Sequence, residues 1–126
     1  MFEITIKGQV YNLNFGMGFL RAINKTVSIP VEGMPGIKKD IGLRYTVMKL
    51  YDGDIDTLES VIDLANKGQD TRVTRALLDE FIEDEETDIE AVFEMVMDFL
   101  SRANATKKES LDVLNTIAAE KAKAEK

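Results

Sequence analysis

The chain has 126 residues, a net charge of −7, and 44% hydrophobic against 31% charged residues. A chain of that length hides roughly two thirds of its unfolded surface, enough for one core, and the composition is too apolar for disorder. It has no cysteine and no histidine, which removes disulfides, thiol nucleophiles and the side chain best suited to proton transfer near neutrality, while the excess of acids repels phosphate backbones and argues against nucleic-acid binding.

Residues 2–14 alternate as a strand pair, with Phe2, Ile4 and Ile6 on one face, a turn at Gly8-Gln9, then Val10, Tyr11 and Leu13. After Asn14-Phe15-Gly16-Met17-Gly18 a short helix carries Leu20, Ile23 and Val27. Pro30, Gly33, Pro35 and Gly36 make residues 28–38 a long loop without regular structure. From Asp40 a helix is apolar on two sides, Ile41, Tyr45 and Met48 facing one way and Leu43, Val47 and Leu50 nearly the other. Such a helix is either central or sandwiched between core and partner.

Asp54 caps the next helix, whose face is Ile55, Leu58, Val61, Ile62 and Ala65, and Asn66-Lys67-Gly68 ends it. Another follows Asp70-Thr71 with Val73, Leu77, Leu78, Phe81 and Ile82. Thr87 and Glu90 form a capping box that opens a helix over about residues 88–104. Its apolar arc, from Met95 through Val92 and Phe99 to Met97, spans roughly 200° at 100° per residue. An internal core helix and one wall of a partner groove meet that width equally. Thr106 and Glu109 form a second capping box, starting a last helix with Leu111, Leu114, Ile117 and Ala118, and the charged tail 120–126 has little to bury and is expected to fray.

The expectation is a single α+β domain over residues 1–126, predominantly α-helical: a β-hairpin over 1–14, a helical body over 15–105, and a C-terminal helix over 106–126, about six helices in all. Asp52-Gly53-Asp54-Ile55-Asp56 fails as a calcium loop, because Thr57 stands where its glycine belongs and Asp63 where its final glutamate belongs. Gly16-Met17-Gly18 is too short for a phosphate loop. No catalytic residue, cofactor or metal site is expected. The acidic run from Asp79 to Asp98, without Lys or Arg, reads first as a solvated turn and helix start and second as an attraction for a basic partner.

No signal sequence or membrane span is legible, so a cytoplasmic protein is expected. Candidate partner-binding residues are Leu43, Val47 and Leu50 on the two-sided helix, Val92, Met95, Met97 and Phe99 on the wide-arc helix, and Leu111 and Leu114 on the last. Methionine adapts to varied surfaces. The same apolar faces suit self-association.

Phe15-Gly16-Met17-Gly18-Phe19, Ala65-Asn66-Lys67-Gly68-Gln69, Arg72-Val73-Thr74-Arg75-Ala76-Leu77-Leu78 through Ile82-Glu83-Asp84, Phe99-Leu100 and Ala103-Asn104-Ala105-Thr106-Lys107-Lys108 together resemble the tail assembly chaperones of long-tailed siphophages and prophages of Gram-positive bacteria. That resemblance implies a non-enzymatic protein that binds the tape measure protein, keeps this long helical chain soluble, helps tail tube subunits assemble around it, and leaves the finished tail. It also implies a longer product made by translational frameshifting, for which Lys107-Lys108 is compatible with an A-rich slippery run. The alternative is a structural tail or head-completion subunit retained in the virion.

Overall fold

The computed structural model describes residues 2–125; positions 1 and 126, the outer limits of the expected hairpin and tail, lie outside the described residues. Strands β1 (Phe2–Ile6) and β2 (Gln9–Leu13) pair antiparallel, with Phe2 opposite Leu13 and Ile6 opposite Gln9. The turn is therefore Lys7-Gly8, one residue earlier than expected. Both residues have positive φ, 50° and 80°, as the tight turn that matches strand twist requires. Alternation buries Ile4, Ile6, Tyr11 and Leu13 and leaves Val10 exposed.

Helix α1 (Met17–Asn24) buries Phe19 and Ile23. Val27 falls outside it, because the chain leaves the helix at Lys25. Residues 28–38 are not irregular throughout. Short strands β3 (Ser28–Pro30) and β4 (Lys38–Asp40) pair antiparallel, and bonds among Val31, Met34 and Ile37 fold the tip between them. Both prolines are accommodated, Pro30 at the end of a strand and Pro35 in the tip, where neither interrupts a ladder.

Helix α2 (Gly42–Tyr51) is the central element, in contact with α1, with α3 (Ile55–Asn66), with α5 (Ile89–Arg102) and with α6 (Lys107–Ala124). Its start rests directly on the end of α1. A Cβ on Gly42 would lie 1.7 Å from the Ile23 carbonyl oxygen, so no other residue fits, and the Asn24 side chain accepts from the Leu43 N–H at 3.0 Å. That bond caps α2 from the neighbouring helix, since Ile41 at its N-cap supplies no side-chain acceptor.

Asp54 caps α3 as expected, accepting from the Thr57 N–H at 3.1 Å. The Thr57 hydroxyl also donates to it, and these bonds hold the carboxyl below its ordinary range. Leu58, Val61, Ile62 and Ala65 are buried, but Ile55 in the first turn is exposed. Helix α4 (Arg75–Glu83) is capped by Thr74, so Val73 lies before the helix rather than in it. Two arginines brace α4 against α3: Arg72 pairs with Asp63 at 2.9 Å and Arg75 with Glu59 at 2.8 Å.

Neither capping box forms. Asp88, rather than Thr87, caps α5 by accepting from the Ala91 N–H at 3.1 Å; a carboxylate is as good an acceptor and sits next to the first helical residue. Thr106 is fully buried, and its hydroxyl donates backwards to the Leu100 carbonyl at 2.7 Å. It satisfies the end of α5 instead of the start of α6. Helix α6 continues to Ala124, with Val113 and Ser110 as its buried residues. A single apolar cluster includes residues of the β1–β2 hairpin and of all six helices.

One polar side chain ties this core together. Asn66, fully buried at the end of α3, donates to the carbonyls of Asn12 and Thr71, each at 3.0 Å, and accepts from the Val73 N–H at 2.7 Å and from Arg72 Nη1 at 3.0 Å. Its amide is fully satisfied. Replacing it with alanine orphans the buried Val73 N–H and takes a partner from the part-buried Asn12 and Thr71 carbonyls, and Asn66→Ala is expected to destabilise the protein by about 3 kcal/mol. Urea unfolding checks this as a fall in midpoint at unchanged slope.

Candidate partner-binding groove

The two faces of α2 have different fates. Leu43 and Val47 are fully buried and Leu50 nearly so, whereas Tyr45 is 43% and Met48 49% exposed. The inner face is anchored in the core, and the outer face floors a groove of about 730 Å³. Ile117, Thr116 and Ala124 of α6 form one wall, and Ile29 and Ile41, on and beside the β3–β4 arm, form the other. Arg44 pairs with Asp112 across the base of the α2–α6 wall.

Six of the ten exposed large apolar residues, among those described, lie between positions 29 and 51: Ile29, Met34, Ile37, Tyr45, Met48 and Tyr51. Of these, Ile29, Tyr45 and Met48 line the groove and Met34, Ile37 and Tyr51 do not; single exposed apolar residues mean little, but three that share one concave surface suit a partner. The rim is basic although the chain is acidic. Lys39, Arg44 and Lys121 stand around the groove with only Glu120 of opposite sign among its lining residues. Lys121 lies 4.8 Å from the Tyr51 ring centre, and a hydrogen bond with the Tyr51 hydroxyl holds its ammonium above the ordinary lysine range.

The residues expected from sequence to bind a partner do not gather at this groove. Leu43, Val47, Leu50, Val92 and Phe99 are buried in the chain's own core. Phe99 belongs to an aromatic cluster, 4.6 Å from Phe2 and 6.0 Å from Phe15 between ring centres. Met95, Met97 and Leu114 are half-buried against that core, and Leu111 is exposed outside the groove. The wide arc of α5 is met chiefly by neighbours within the chain. The groove uses instead the Ile41, Tyr45 and Met48 face, together with residues of the segment read as a loop and of the tail read as having little to bury. A signal for the arm was present in Ile29, which lines the groove, and in Met34 and Ile37, which are exposed outside it: three large apolar residues in a stretch too short to bury them.

The acidic run is split among α4, the turn after it and α5. Glu83 to Glu86 are exposed, and Asp84 accepts from the Glu86 N–H at 3.0 Å, which is the bonding of a solvated turn. Farther in, burial and a hydrogen bond with Asp79 push the Glu59 carboxyl up, against the pull of Arg75. Among the described residues no group of His, Cys, Asp or Glu is arranged to hold a metal ion, and no helix is long and apolar enough to cross a membrane.

A sequence model of a family described as phage tail assembly chaperone protein, TAC, matches residues 3–114. No curated protein and no solved structure matches the chain.

Because the two faces of α2 differ in burial, their truncation should differ in cost. Leu43→Ala is expected to lose about 2–5 kcal/mol of stability, and Met48→Ala within about 0.5 kcal/mol of none. Parallel urea titrations of the two variants check the contrast.

Proposed function

The chain belongs to the phage tail assembly chaperone family, and we propose that it binds and solubilises the tape measure protein while a long tail is built. The observation that carries this reading is the apolar groove on the outer face of α2, which offers an amphipathic client helix a place to bury its apolar stripe. Its floor stands on a helix whose other face is locked in the core, so little ordering is needed on binding. The chain acts as one domain, without catalysis or cofactor, in the host cytoplasm, and leaves before the virion is complete. Tail tube subunits are further partners during assembly, and the exposed apolar surface suits self-association when no client is present.

Co-expression with the tape measure protein of the same phage tests this. The expected outcome is a client that stays soluble and co-purifies with the wild-type chain, and that is lost to the pellet with a folded Tyr45→Asp/Met48→Asp variant. A client equally soluble without the chain would contradict the reading. Substantial retention in purified virions, measured by mass spectrometry, would favour a structural subunit.

A further inference from the structure

The groove has a definite length, a definite chemistry and a charge opposite to that of the chain that carries it. Its α6 wall runs from Val113 to Ala124, about 16 Å at 1.5 Å per residue, or about three helical turns. Its floor is apolar, through Tyr45 and Met48, and its edges carry Lys39 on the arm and, on α6, Lys121 with Glu120 next to it. Arg44 is already paired with Asp112. Among the described residues Lys39 forms no salt bridge, and Lys121, although it lies against Tyr51, has no carboxylate within ion-pair distance, so both can take a partner's acid.

We infer that the groove takes a single partner helix of about three turns, apolar along one stripe and edged on both sides by Asp or Glu. Lys39 and Lys121 lie on opposite walls, so acids flanking the stripe meet a cation on either side. A helix edged by lysine meets Lys39 on one wall and, on the other, Lys121 only partly offset by Glu120 beside it, which disfavours it even with the same apolar anchors. The net charge of −7 would by itself steer acidic partners away. The local basic rim selects an acid-edged segment against that background. This inference rests on the reading that the groove holds a client helix, and adds which helices of the client it holds.

Two synthetic peptides of about three helical turns test it, identical in their Leu and Ile stripe, one edged with Glu and the other with Lys. Binding is measured by fluorescence anisotropy at low salt against the full chain, the Lys39→Glu/Lys121→Glu variant and Met48→Asp, each shown to be folded by circular dichroism. The wild type is expected to bind the Glu-edged peptide about fivefold more tightly than its twin, the charge-reversed variant to prefer the Lys-edged peptide, and Met48→Asp to bind neither. Equal affinity for the twins, preference of the wild type for the lysine edge, or binding that survives Met48→Asp overturns the inference. So does occupation of the groove by a second copy of the chain that the Glu-edged peptide fails to displace, seen as dimerisation that Met48→Asp abolishes and the peptide does not. Rescue of the tape measure protein can still succeed in any of these cases, so failure of the acidic-edge inference is distinguishable from failure of the chaperone reading.

Discussion

The arrangement depends on the Asn66 side chain more than on any other single group. The β1–β2 hairpin and the approach to α4 both present backbone groups to the buried amide at the end of α3, the Val73 N–H where water cannot satisfy it, and that one amide closes all of these bonds. A buried polar group that is fully bonded fixes one geometry in a way that apolar packing alone does not. The Asn14 N–H adds a bond to the Ala65 carbonyl at 2.8 Å, so the exit of the hairpin is held to α3 at two adjacent places. From there Phe15 carries the chain into the aromatic cluster with Phe2, Phe19 and Phe99, and α1 is set in position for α2.

That placement produces the groove. Gly42 lets α2 start in contact with the Ile23 carbonyl, and the three leucine and valine anchors of its inner face sink into the core. With this rotation fixed, Tyr45 and Met48 must point outward, and α6 and the β3–β4 arm flank them without covering them. The apolar exposure is thus a consequence of how the core is closed. It is held on a rigid helix and does not arise from local looseness.

Much of this was legible in the sequence. Period-two alternation identified the first hairpin, and helical period identified the bodies of the helices, because burial on one side leaves a direct mark on residue order. The family resemblance was carried partly by Asn66, Arg72 and Val73, which the structure joins in one hydrogen-bond network. Caps were less legible: Thr87 and Thr106 sat at good positions, yet Asp88 was a competing acceptor and the burial of Thr106 sent its hydroxyl to Leu100. The groove was least legible. Sequence showed α2 to be apolar on two sides, but which side was core depended on where α1, α3 and α5 came to rest, and those are long-range contacts with no local signature. The β3–β4 arm was hidden for a related reason, since three-residue strands, one of them ending in proline, have no period to detect.

The central claim is that the outer face of α2 holds the client. The most direct measurement places a photo-crosslinking amino acid at Met48, and in a separate chain at the exposed Glu94 of α5, and irradiates during phage assembly. The account predicts a cross-link to the tape measure protein from position 48 and none from position 94. A cross-link from position 94 with none from position 48 would contradict it, and would move the client to the acidic side of the molecule.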